Sequence, residues 1–106
     1  MLKIQSGRQI PTEYALSQNY PNPFNPTTSI KYGLPENSRV TLKIYNVLGQ
    51  LVKTVLDNER EETGYYVFPF NASEVASGVY YYRLEAQSEV TPSKTFVETK
   101  KMLLVK

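Results

Sequence analysis

Few side chains in this 106-residue chain could carry out chemistry, and those that could are spread thin. The sequence contains neither Cys nor His. Without His it lacks the one side chain that titrates near neutrality unaided, so neither a Ser-His-Asp nor a Cys-His arrangement can be assembled from it. Without Cys, thiolate metal sites and sulfur nucleophiles are excluded, and the chain needs no particular redox compartment. Carboxylates can work as a pair, but Glu13, Glu36, Glu74, Glu85, Glu89 and Glu98 are scattered, and their spacing gathers no two in a cleft. Asp57, Glu59, Glu61 and Glu62 form the one local acidic cluster, the sole candidate for a hard cation such as Ca2+. They lack the alternating Asp framework closed by Gly, so their spacing reads as a solvated hairpin loop. The expectation is a protein with no catalytic residue, no metal and no cofactor.

Recognition chemistry is better represented. Tyr20, Asn22 and Asn25 each precede a proline, which pushes them towards extended or polyproline II backbone. Pro21, Pro23 and Pro26 fix their own φ as well, making residues 19–26 a stiff lead-in to a strand. On the residues alone, this segment sets how the first strand enters and lets Phe24 plug one end of the fold. The alternative is an exposed recognition surface made of Pro21, Asn22, Pro23, Phe24, Asn25 and Pro26. Lys100, Lys101 and Lys106 flank the apolar run Met102-Leu103-Leu104-Val105. They suit either a handle for a partner or the blocking of sheet-edge aggregation. Gly78 and Tyr80, as Gly-x-Tyr opening a late strand, read as a tyrosine corner whose hydroxyl bonds nearby backbone. Tyr45 and Tyr81 form an outward row that could stack on sugar rings.

These groups need elements to hold them, and the signals are those of strands. Nine Tyr and four Phe suit strands and argue against a helical bundle. Residues 28–34 alternate, with Ile30, Tyr32 and Leu34 on one face, and residues 39–46 alternate again, with Val40, Leu42 and Ile44 inward. With a turn at residues 35–38 between them, the two runs read as a hairpin. Residues 51–56 make a third strand, and residues 57–63 a charged loop closed by Gly64. Tyr66, Phe68 and Phe70 share a face of the next strand, where Pro69 suggests an edge position. Residues 71–77 fit one helical turn. Residues 78–86 form the strongest strand, and a last one spans about 95–105. Turn signals at this spacing predict an all-β, immunoglobulin-like sandwich of six to seven antiparallel strands.

Length fits one domain, read as residues 13–106 behind a linker or remnant at residues 1–12. A net charge of +2, from 12 basic and 10 acidic residues, is too balanced for phosphate neutralisation, so no nucleic acid is expected. No apolar run is long enough for a transmembrane segment, and the first ten residues lack the apolar core of an export signal; if the domain is exported, the expectation is that its signal sits on an upstream protein.

Four segments carry a family resemblance: LSQNYPNPFNPTT at 16–28, VTLKIYNVLGQ at 40–50, ASGVYYYRL at 76–84 and TKKMLLVK at 99–106. In order and placement they closely resemble the type A C-terminal sorting domains of the type IX secretion system of Bacteroidetes and their relatives. The immunoglobulin-like fold so implied is similar also to a domain of the flagellar hook-capping protein. The resemblance implies a non-catalytic sorting signal, linked covalently behind an N-terminal cargo and carried folded through the periplasm. Its implied partners are the outer-membrane translocon and a sortase-like peptidase that attaches cargo to surface lipopolysaccharide. The implied destination is the cell surface or the medium. It favours the recognition reading for residues 21–26 and for Lys100, Lys101 and Lys106. The competing reading is a carbohydrate-binding or adhesion module of a multidomain extracellular protein.

Overall fold

The computed structural model of the chain describes residues 10–106 in full and residues 2–4 by their backbone. Among these, eight strands and no helix occur: β1 (Leu2–Ile4), β2 (Ala15–Leu16), β3 (Thr27–Leu34), β4 (Ser38–Asn46), β5 (Leu51–Glu61), β6 (Gly64–Asn71), β7 (Gly78–Ser88) and β8 (Thr95–Leu104). They form two four-stranded sheets, ordered β1-β6-β3-β2 and β5-β4-β7-β8. Every pairing within them is antiparallel.

The core follows from the two-residue period of a pleated strand. Ile30, Tyr32 and Leu34 of β3, Val40, Leu42 and Ile44 of β4, and Tyr80, Tyr82, Leu84 and Ala86 of β7 are all buried in one cluster. A slip of one residue in any of these strands would turn its whole apolar set to solvent, which fixes the registers. The expected all-β sandwich is therefore the observed architecture, with two short extra strands.

Its connectivity departs from expectation at one joint. Strands β3 and β4 do not form a hairpin: β3 pairs with β2 and β6, and β4 with β5 and β7. The link at residues 35–37 arches from one sheet to the other. Its polar groups bond outward to other connections, the Asn37 side-chain oxygen accepting the Thr63 N–H at 2.9 Å and its carbonyl the Glu89 N–H at 2.8 Å. Alternation is the same in a hairpin and in two facing strands, so the pattern alone could not separate them.

Smaller corrections concern the charged segments. Residues 57–61, expected in a loop, continue β5 to Glu61. The ladder survives because register shifts between Val40 and Leu42, and Asn58 at φ 52°, absorb the irregularity. Part of the presumed linker is structured, since Leu2–Ile4 pair with Tyr65, Tyr66 and Val67. Residue 1 and residues 5–9 of that linker lie outside the described residues. Among the described residues the pairing reaches Val67, so at Pro69, where proline lacks a donor, β6 has no partner on that side. Residues 71–77 form a turn closed by a Val75 N–H to Ala72 carbonyl bond of 3.2 Å, not a helical turn.

Candidate functional site

Strand β8 is an edge strand, paired only with β7 among the described residues. In an antiparallel strand, alternate residues turn both backbone groups to the same side. Lys101, Leu103 and Val105 turn theirs away from β7, where a bare edge would expose them. The segment leaving β2 covers them. The Gln18 amide donates to the Lys101 carbonyl at 2.7 Å. The Asn22 side-chain oxygen accepts the Leu103 N–H at 2.9 Å. The Phe24 N–H donates to the Leu103 carbonyl, and the Val105 N–H to the Phe24 carbonyl, each at 2.9 Å.

That segment is held from beneath. The ring of Phe24 is 2% exposed and lies 6.4 Å from that of Phe70. Asn19, buried, donates through its amide to Thr28 Oγ1 at 3.0 Å and to the Pro21 carbonyl at 3.2 Å. Its own N–H donates to the Tyr82 hydroxyl at 2.8 Å, and that hydroxyl donates to the Ser17 carbonyl at 2.7 Å. Burial pushes the Tyr82 phenol up to about 12, so it stays a neutral donor and acceptor. The peptide bonds preceding Pro21, Pro23 and Pro26 are cis. Pro21, Asn22, Pro23 and Asn25 remain exposed, Pro26 is half-buried and Phe24 is interior.

The three lysines point to different places. Lys100 lies on the core-facing side of β8, 3.0 Å from Glu98. Lys101 is exposed on the outer face, beside Tyr81 in register. Lys106 donates its ammonium to the carbonyls of Ser73, at 2.8 Å, and Val75. The proline segment and the strand bearing Lys101 thus share one hydrogen-bonded edge, while Lys100 stands apart from it. The Tyr80 hydroxyl donates to the Ala76 carbonyl at 2.6 Å, four residues back, across Gly78 at φ 150°. A side chain at Gly78 would be strained in that backbone region.

Sequence reasoning missed Gln18 and Asn19 and assigned Tyr82 to the core alone. The hydroxyl of Tyr82 was the available signal, because a fully buried phenol must find partners. Of the acidic cluster, Asp57, Glu59 and Glu61 lie along β5 with Glu62 just beyond its end, and Glu61 accepts the Tyr32 hydroxyl at 2.5 Å.

Compared with known families, residues 18–98 match the secretion system C-terminal sorting domain. The chain belongs to that family. The matched span of this sorting domain includes the whole proline segment and stops ahead of Lys100, Lys101 and Lys106. Among solved structures, the crystal structure of CopC from Methylosinus trichosporium OB3b is similar at a TM-score of 0.57, covering 87% of this chain and 93% of that chain. The two share 13% identity, so the likeness is one of fold. No curated protein matches the sorting domain.

Proposed function

We propose that this domain is a non-catalytic sorting signal that directs a covalently linked upstream cargo through the outer membrane by the type IX secretion system. In this reading the partners are the outer-membrane translocon and a sortase-like peptidase, and the route runs via the periplasm to the cell surface or medium. One observation carries it: the proline segment and the final strand, separate in sequence, meet in a single hydrogen-bonded edge through Asn22, Phe24, Leu103 and Val105. The surface offered to the translocon is Pro21, Asn22, Pro23 and Asn25 together with Lys101 and Lys106. Phe24 and Pro26 anchor that surface, and Lys100 contributes through β8.

The test fuses the domain behind a fluorescent protein bearing an export signal, in a host with the secretion machinery. Removing residues 101–106 would be uninformative, because it also strips Met102 and Leu104, at 0% and 1% exposure, from the core. The surface variants Asn25→Ala, Lys101→Glu and Lys106→Glu avoid that. Loss of surface delivery with a protease-resistant domain retained in the periplasm is the expected result. Full delivery of all three would sink the proposal.

A further inference from the structure

Most surface hydrophobics stand singly, but one end of the second sheet gathers several. Val47 and Leu48 are 67% and 79% exposed at the β4–β5 turn. Leu51, Leu103 and Val105, also exposed, lie at the same end of the sheet. The turn is pre-formed: the Asn46 side-chain oxygen accepts the N–H groups of Leu48 and Gln50, each at 3.0 Å, and Gly49 takes φ 80°. Turn tips normally carry polar residues, so two aliphatic side chains held outward on a rigid turn call for a partner.

The registers order what lies behind the tip. Val79 and Leu103 are paired. One row inward on the same outer face, Leu51, Tyr45, Tyr81 and Lys101 lie side by side. A further row inward, Lys43 stands opposite Arg83. Successive rows are about 7 Å apart along the strands. Along this axis the face runs from aliphatic, through amphipathic tyrosines, to cations. The acid nearest in register is Glu85, one row further on and 3.3 Å from Arg83. Lys43 and Lys101 have no carboxylate within ion-pair distance among the described residues.

We propose that this end of the domain is a membrane-docking wedge: Val47 and Leu48 enter an anionic lipid surface, Tyr45 and Tyr81 sit at headgroup level, and Lys43, Arg83 and Lys101 face the lipid phosphates. A bilayer interface imposes this sequence of chemistry along its normal. A pocket on a protein imposes no such order, and the turn keeps Val47 and Leu48 exposed for insertion into a deformable surface. The basic rim supplies the charge complementarity.

Vesicle co-sedimentation tests it with the full chain. Binding is expected to vesicles of phosphatidylcholine and phosphatidylglycerol at 7:3, weakening as salt rises, and to be much weaker with phosphatidylcholine alone. Withdrawing one leucine from the bilayer lowers partitioning by roughly tenfold to a hundredfold. Leu48→Asp, on an exposed turn, should do so with an unchanged melting profile, and Lys43→Glu should reduce only the binding that depends on phosphatidylglycerol. No binding to either vesicle would overturn the proposal. So would binding indifferent to Leu48→Asp, which would reduce the effect to net charge. Dimerisation in sedimentation velocity that Leu48→Asp abolishes, without vesicle binding, would assign the face to a second copy instead. None of these outcomes depends on whether the domain sorts cargo.

Discussion

The side-chain oxygen of Asn22 accepts the backbone N–H of Leu103 at 2.9 Å, joining positions 81 residues apart. The bond lies at the surface, so water can replace it, and Asn22→Ala should lower stability by only about 0.5–1.5 kcal/mol. Its local effect should be larger. Amide exchange at Leu103 should accelerate markedly, while Val105, still donating to the Phe24 carbonyl, stays protected.

Two tyrosines of β7 make contrasting tests. Tyr82→Phe leaves the Asn19 N–H and Ser17 carbonyl without their shared partner, a loss of about 2–3 kcal/mol. Tyr80→Phe removes one bond to Ala76, worth about 1 kcal/mol. At roughly 4–8 °C per kcal/mol for a domain of this size, calorimetry should separate the two variants clearly. Equal melting temperatures would refute the role given to Tyr82.

Burial pushes Tyr66 and Tyr82 up to about 12 and raises Tyr32 as well. The native state thus holds these protons more tightly than the unfolded chain, whose tyrosines ionise near pH 10. Stability from these groups is complete below pH 10 and is lost as pH rises through about 12. Urea midpoints measured between pH 8 and 12 should therefore fall steadily above pH 10.

Glu61 carries the same sign in acid. Burial raises its carboxyl above 4.5, against the lowering effect of the Tyr32 hydroxyl. Its contribution is present below pH 4.5 and is lost as pH rises through the raised value. Glu61→Gln keeps an acceptor for Tyr32 and should flatten that part of the stability profile.

Phe24→Ala should cost about 3–5 kcal/mol, because the ring is interior and packs on Phe70. Asn25→Ala, one position on and exposed, should change stability by less than about 0.5 kcal/mol. Thermal melts of the pair will distinguish an anchor from a surface.

The alternation of Ile30, Tyr32 and Leu34, and of Tyr80, Tyr82 and Leu84, made the strands and their inner faces legible before any coordinates. Pairing was not legible, because the same alternation serves a hairpin and two opposed sheets. The extension of β5 through Asp57 and Glu59 was hidden by charge, which on an outer strand signals exposure and not a loop. The capping of β8 by Gln18 and Asn22 was hidden for a different reason. Such bonds join backbone to side chain over about 80 positions, and no local pattern records them. Phe24 could be placed because a large apolar residue between prolines has few uses but to fill a gap.

From Thr95 to Thr99, β8 has no covering segment among the described residues, yet its core-facing side carries the Glu98–Lys100 pair at 3.0 Å. A foreign strand zipped along that stretch would trap both ions beneath itself and strip their water, an expensive transfer. Fibril growth from this side is therefore opposed by a built-in toll, and molecules crowded together at high concentration stay separate.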